Sequence, residues 1–534
     1  MKISRLASLF LVLTLAIATL AQGQAVPPQD PQRPDNPAPK ANASPRTVPA
    51  DPQRPDANVP DETAQHNPNA PREIQLSLTP AAEPLPALKY ELLPGPMQRK
   101  PGNAATNYYR ALLHAQQVRS SVAKAEQDKH NQEYEQWFSG PLNDSTKLDM
   151  RKWVGYYQAA LAETKSAAYC EECKWNLRIQ DLRGLDTITF LLHDFQGMRD
   201  LGRVLKFRAR LEVSDGKLDE AIESTRQGFQ LARDTAEPEL LINSLIGIAI
   251  ANMMGEELIE IIDQPGSPNL YWAIASLPKP LIDLRRGLRF EMEMPERMFP
   301  FLNDAESAER SPEEWQRLLV DSISKISELS GNASQVPEWQ LRLTATAGLM
   351  LVYPEAKKRL LAEGFDKQQL DKMPTAQVVA IQASRAQKRV YHDVFKWSAL
   401  PYSQQRRRVD ETMQQLLNEL GRPGKITAED PLFLARLLLP GVQQAMLAEI
   451  RLQTHLSATQ TIEALRMHAA ANQGQLPRTL EEVTIVPVPL NPATDQPFEY
   501  QVADGVATLL VRPPPGQPIG SWNARNYVIR IETK

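Results

Sequence analysis

The residues best placed to do chemistry are the two cysteines of the chain, Cys170 and Cys173, which are separated by two glutamates. Such a pair fits a local disulfide, a redox couple, or part of a metal or haem site. A thioredoxin-like couple needs a strand-to-helix setting that the flanking sequence does not predict. Zinc needs two further ligands, of which His193 supplies at most one. Cys170 to Lys174 also matches a rare haem-attachment variant with lysine in place of histidine. We favour a disulfide or two inert thiols, and we expect no cofactor and no metal.

The seven histidines are dispersed, and none is spaced as a metal-binding pair. His392-Asp393 and His193-Asp194 could serve as general-base pairs if a cleft surrounds them. Neither a Gly-x-Ser-x-Gly elbow nor a phosphate-binding glycine-rich loop accompanies these pairs. Ordinary core or surface histidines are therefore the preferred interpretation, and no catalytic residue is assigned.

Two other groups of side chains are candidates for contacts. Tyr271 and Trp272 lie in a proline-bounded segment, and we expect them either to form an interaction surface or to fill the core. Arg285, Arg286 and Arg289 could meet three acidic residues of the preceding long helix. We expect these pairs to be ion pairs on a solvated face rather than catalytic acids. The three acidic residues are Glu256, Glu257 and Glu260.

The elements that position these residues are mostly helical. Residues 239–254 are apolar on nearly every side, which predicts a central packing helix. Residues 198–234 match one tetratricopeptide-type helical hairpin with its turn at Asp215-Gly216. An apolar run should end at Pro440-Gly441 before a long helix. Alternating segments after residue 497 predict an antiparallel hairpin and a third strand. The predicted class is mainly α, with stacked tetratricopeptide-like hairpins and a small C-terminal α+β module.

Composition indicates export and several domains. Lys2 and Arg5 followed by an apolar run predict a secretory signal over residues 1–25. The Pro-rich residues 26–73 have almost nothing to bury and are expected to be a disordered linker. The domains expected after it are a helical tetratricopeptide-like domain (74–300), a second helical domain (301–455) and the C-terminal module (456–534). The protein should be periplasmic or secreted, with no integral membrane span after signal cleavage.

The net charge of -4 and the pI of about 6.1 give no reason to expect nucleic acid as a partner. Export, a long spacer and stacked helix pairs favour a non-catalytic interaction or scaffold protein of the cell envelope, with an unknown protein partner. The alternative is an exported enzyme whose acid–base residues, such as His392 with Asp393, come together only on folding.

Two resemblances follow from motifs. The segment from Thr459 to Val511 resembles the soluble part of major pseudopilins of type II secretion. Its matching residues are Ile462, Ala464-Leu465, Gly474, Leu476-Pro477, Leu480, Asn491-Pro492 and Pro497-Phe498-Glu499-Tyr500. That family's methylated helix and calcium loop are not recognisable, so neither pilus assembly nor a metal site is implied.

The chain from Leu85 onward resembles a family of uncharacterised secreted bacterial proteins, a likeness that supports the architecture and implies no activity. The residues that carry it are Pro101-Gly102-Asn103-Ala104-Ala105, Tyr108-Tyr109-Arg110-Ala111-Leu112, Pro268-Asn269-Leu270-Tyr271-Trp272-Ala273 and Leu277-Pro278.

Overall fold

A computed structural model of the chain describes residues 70–181, 195–329, 338–419 and 433–532. The predicted class, mainly α with a small C-terminal sheet, is confirmed. The helices are α1 (Ala104–Ser121), α2 (Lys124–Ser139), α3 (Asp144–Tyr156), α4 (Gln158–Ala168), α5 (Gln196–Ser214), α6 (Leu218–Thr235), α7 (Leu241–Ile262), α8 (Tyr271–Ala275), α9 (Arg285–Met298), α10 (Pro312–Leu329), α11 (Glu338–Ala362), α12 (Lys367–Lys372), α13 (Thr375–Phe395), α14 (Tyr402–Glu419) and α15 (Phe433–Ala471). The strands are β1 (Arg72–Leu78), β2 (Lys100–Asn103), β3 (Cys170–Glu172), β4 (Glu499–Ala503), β5 (Val506–Val511) and β6 (Arg525–Ile531).

The predicted helical hairpin is formed by α5 and α6, and α7 packs on both. Gly216 at the hairpin turn has a φ of +73°, a conformation that side chains with a Cβ rarely adopt. Gly247 lets α7 approach α6 closely, because a Cβ there would lie 2.5 Å from the carbonyl oxygen of Ala232. Nearly all of α7 is buried, as its apolar circumference predicts. Whether further tetratricopeptide-like units exist stays a prediction.

The C-terminal sheet has the order β1-β6-β5-β4. β4 and β5 form the predicted antiparallel hairpin, with Asp504 and Gly505 in the left-handed region at the turn. β1 was not expected there: it pairs in parallel with β6, from Arg72 opposite Arg525 to Leu78 opposite Ile531. The N-terminal strand, which begins within the predicted linker, therefore completes the sheet at the other end of the chain.

The helix α15 differs from its prediction in length. It runs without interruption through Pro440, so the expected break at Pro440-Gly441 is wrong. A proline inside a helix removes one hydrogen bond, and a long helix can accommodate this locally, often with a kink. The expected domain boundary between residues 455 and 456 also lies inside α15. Of the residues described, no helix is long and apolar enough to cross a membrane.

A fully buried ion pair joins α15 to the rest of the molecule. Glu463 and Arg466 contact each other at 3.0 Å. The Arg466 guanidinium also donates to the carbonyl oxygen of Thr79 at 3.0 Å and to that of Ser267 at 2.8 Å. A Glu463 carboxylate oxygen accepts from the backbone N–H of Leu270 at 3.1 Å. The pair thus holds α15 against the segment after β1 and the turn before α8.

Replacing Arg466 with methionine should destabilise the protein, because it leaves the Glu463 carboxylate buried without its partner. We expect a loss of about 3–5 kcal/mol in the free energy of unfolding, measured by urea denaturation. The control is Arg407→Met, since Arg407 is 87% exposed and pairs with Glu411 on the surface of α14. That control should change the free energy by less than about 0.5 kcal/mol. Equal effects of the two substitutions would contradict the role assigned to the buried pair.

Candidate anion-binding cavity

A cavity of about 100 Å³ lies where α2, α5, α7 and α15 meet the connection between β5 and β6. A space for one water needs roughly 10–15 Å³ on the same measure, so this cavity can hold several waters or one small organic ion. Five of the lining residues are arginines: Arg199, Arg203, Arg451, Arg512 and Arg525. Only one lining residue, Glu256, carries a carboxylate. The wall is therefore strongly positive.

Three of these arginines have carboxylate partners. The ion pairs join Arg203 to Asp200 at 2.7 Å, Arg512 to Glu499 at 2.5 Å and Arg525 to Glu256 at 3.4 Å. Each of the three therefore has a protein carboxylate as a partner, although Arg525 shares Glu256 with Lys206.

Arg199 and Arg451 differ from the other three, because no carboxylate among the described residues forms an ion pair with either. Arg199 is 8% exposed, and its Nε has no hydrogen-bond partner in this part of the chain. Arg451 donates its Nε to the Leu447 carbonyl at 3.0 Å and lies over the Trp522 ring at 4.8 Å, but its Nη2 has no partner in the described structure. Burial lowers the pKa of each guanidinium to about 10. Both groups are still cationic near neutral pH, and both are costly to bury unpaired.

Two neutral groups of the wall also lack partners among the described residues. The Tyr134 hydroxyl on α2 and the His455 Nδ1 on α15 are buried without a hydrogen bond. Burial, with the charge of Arg525 adding to it, lowers the pKa of His455 well below 6.5, so its imidazole is neutral at pH 7. Residues of α2, α5 and α15 that carry unsatisfied polar groups therefore line one cavity.

The acidic residues of α7, of which Glu256 lines the cavity, have partners other than those expected from the sequence. Glu256 contacts Lys206 of α5 at 2.6 Å, and Glu260 contacts Arg210 at 2.9 Å. Lys206 is 1% exposed, so these pairs do not lie on a solvated face. Arg285 and Arg286 instead pair with nearby acids, Asp283 at 2.6 Å and Glu239 at 3.0 Å. The acids of α7 face α5, and the arginines of α9 point elsewhere.

Electrostatics shifts the pKa values of the neighbouring carboxylates Glu256 and Glu257 in opposite directions. Burial alone would raise the pKa of Glu256, but Lys206 and Arg525 outweigh it and hold that pKa at about 2. Glu257 is fully buried, and neither of its oxygens has a hydrogen-bond partner among the described residues. Burial, with Glu260 adding to it, raises the pKa of Glu257 well above its ordinary value. Of the two, only Glu256 lines the cavity.

A sequence signal for this site exists, although it was missed. Four basic residues of α5 recur at helical spacing, which places them on one face of that helix: Arg199, Arg203, Lys206 and Arg210. That spacing matches the separation of Glu256 and Glu260 on α7. The apolar positions predict the hairpin, whereas the basic stripe of α5 is the signal that indicates the site.

The cysteines lie away from the cavity. Cys170 is in β3 and Cys173 follows it, and both are free thiols. The Cys170 sulfur contacts the carbonyl oxygen of Ser166 at 3.5 Å, and the Cys173 sulfur contacts that of Asp234 at 3.8 Å. Burial raises the pKa of both thiols, which disfavours the reactive thiolate. A disulfide between them stays a prediction. Among the described residues no group of three or more His, Cys, Asp or Glu side chains could hold a metal ion.

The remaining candidates separate in the structure. Tyr271 is 3% exposed and its hydroxyl donates to the Pro487 carbonyl, so its ring fills the core beneath the C-terminal module rather than presenting a surface. Trp272 is half-buried, and its indole N–H donates to Glu83 at 2.5 Å. His392 is exposed on α13, and the Asp393 carboxylate beside it accepts from Lys396 at 2.8 Å. His193 and Asp194 lie outside the described residues.

Comparison with known proteins adds nothing to this geometry: no protein-family model, no curated protein and no solved structure matches the chain. The resemblances drawn from motifs stay predictions. The lining residues of the cavity therefore indicate its ligand.

The neutral, buried His455 predicts how stability changes with pH. Its pKa is lower in the folded chain than the unfolded value near 6.5, so the unfolded chain binds more protons and stability falls as pH drops below about 6.5. Between pH 7.5 and 5.5 this group should contribute about 1.4 kcal/mol of the loss. His455→Gln should remove that share in urea unfolding at the two pH values, whereas His392→Gln on the exposed face of α13 should not. An unchanged loss in His455→Gln would contradict the assignment.

Proposed function

We propose that the protein is an exported, non-catalytic binding protein whose cavity holds a small anion. The observation that supports this most directly concerns the guanidinium groups of Arg199, which is buried, and Arg451, which is half-buried. Neither has a carboxylate partner among the described residues. An isolated buried charge carries a large desolvation cost, and natural proteins normally compensate it with a partner. A bound anion would supply that partner.

The construction of the wall supports a ligand site over an accident of packing. Arg199 and Arg451 come from different helices, and the connection between β5 and β6 closes the cavity with Trp522 and Arg525. Arg203 and Arg525 are held by carboxylates, so their positions are fixed before any ligand binds. Such preorganisation lowers the entropy cost of binding.

Catalysis is not the activity this geometry favours. The alternative of an exported enzyme depended on His392 with Asp393, but the Asp393 carboxylate is engaged by Lys396 and His392 faces solvent. The cavity offers cations, a phenol and a neutral imidazole, which suit the binding of an anion. A protein partner, expected from export and from the helical surface, is a further part of the proposal.

Inorganic phosphate is a suitable probe of the anion site. Calorimetric titration at constant ionic strength should show saturable binding of one phosphate per chain. Arg199→Gln or Arg451→Gln should weaken the affinity by about tenfold or more, because each removes a charge-assisted hydrogen bond to the anion. Arg407→Gln, on the exposed face of α14, should leave it unchanged. Absence of saturable binding to the natural protein, or equal binding by all variants, would refute the proposal.

Stability of the ligand-free variants provides a second arm of the same test. Removing an unpaired buried charge should leave the free energy of unfolding unchanged or increase it, because the desolvation cost disappears. A large loss of stability in Arg199→Gln without ligand would indicate a structural role.

Export is proposed from the signal sequence. Mass spectrometry of the chain isolated from the cells that make it should find a mature N-terminus near Gln22 or Val26. An intact Met1 terminus in the membrane fraction would contradict this.

A further inference from the structure

We infer that the ligand of the cavity is a small dianion, an inference that rests on the proposed function. Five guanidinium groups line the wall, and three of them have protein carboxylates as partners. Glu256, the partner of Arg525, is also the partner of Lys206. At least two positive charges, those of Arg199 and Arg451, are therefore left without compensation by the described residues. Charge balance in this partly enclosed site therefore asks for at least two negative charges.

One dianion meets this demand better than two separate anions. A cavity of about 100 Å³ would force two monoanions close together, where their repulsion is weakly screened. Two ligands would also each lose translational and rotational freedom on binding, whereas one dianion loses it once. A single molecule with both charges avoids these costs.

The hydrogen-bonding groups indicate the atoms that carry the charge. A guanidinium presents N–H donors in a fixed plane, which matches the oxygens of carboxylates and phosphates. The Tyr134 hydroxyl supplies a further donor that has no partner among the described residues. Phe138, Met253 and Val511 add apolar wall. The ligand is accordingly a compact oxyanion with two charges, either a short dicarboxylate or a phosphomonoester.

Matched ligand pairs test the charge directly. Succinate carries two negative charges, and its monoamide, succinamate, carries one in nearly the same shape. Above pH 8, methyl phosphate likewise carries two negative charges and dimethyl phosphate carries one. Calorimetry at fixed ionic strength on the full exported chain should give at least one dianion an affinity about tenfold or more above its monoanion. The pair that shows the larger ratio distinguishes dicarboxylates from phosphomonoesters.

Substitutions of the two arginines test whether they cause the higher affinity for the dianion than for the monoanion. Arg199→Gln and Arg451→Gln should each reduce the dianion-to-monoanion ratio towards one, whereas Arg199→Lys, which keeps the charge, should retain most of it. Thermal unfolding of each variant reports whether it is folded. If a variant is not folded, the affinities of the natural protein for the four probes decide whether the ligand is a dianion.

The outcomes separate the two proposals. Binding of none of the four probes and of no phosphate overturns the anion-binding function. Equal affinity for dianion and monoanion leaves that function standing and overturns the dianion inference. A dianion preference that persists unchanged in both glutamine variants also overturns it, because the charge would then be recognised elsewhere.

Discussion

The fully buried ion pair of Glu463 and Arg466 fixes the long helix on which the rest of the structure depends. The guanidinium of Arg466 bonds to both the segment after β1 and the turn before α8, so α15 cannot slide relative to either. His455 and Arg451 lie about three and four turns before Arg466 on the same helix. The position of one wall of the cavity is therefore set by an interaction outside it.

The contrast between Arg466 and the two unpaired cavity arginines shows what is particular about the site. Arg466 is fully buried, but its donors reach a carboxylate, backbone carbonyls and a hydroxyl. Arg199 is buried and Arg451 is half-buried, yet each keeps a buried N–H without a partner among the described residues. The same protein thus satisfies one buried guanidinium and leaves two others incomplete, and the incomplete ones face the same space.

Local patterns in the sequence predict the central helix and its hairpin but neither the full length of α15 nor the site. The apolar circumference of α7 and the turn at Gly216 identify the central helix and its hairpin, because both signals lie within a few residues. The pairing of β1 with β6 joins opposite ends of the chain, and no local pattern reveals it. The partners of Glu256 were misassigned for the same reason, since Arg525 is adjacent only after folding. The basic stripe of α5 is visible in the sequence, but the role of its side chains depends on which helix faces them in the fold.

A crystal structure of the exported chain with selenate shows directly whether Arg199 and Arg451 bind a dianion. Selenate is a dianion, and selenium can be located by its anomalous scattering. We expect a selenate with oxygens about 3 Å from the guanidinium nitrogens of both Arg199 and Arg451. A cavity that holds no selenate at saturating concentration, with both guanidinium groups paired to carboxylates of the protein, would contradict it.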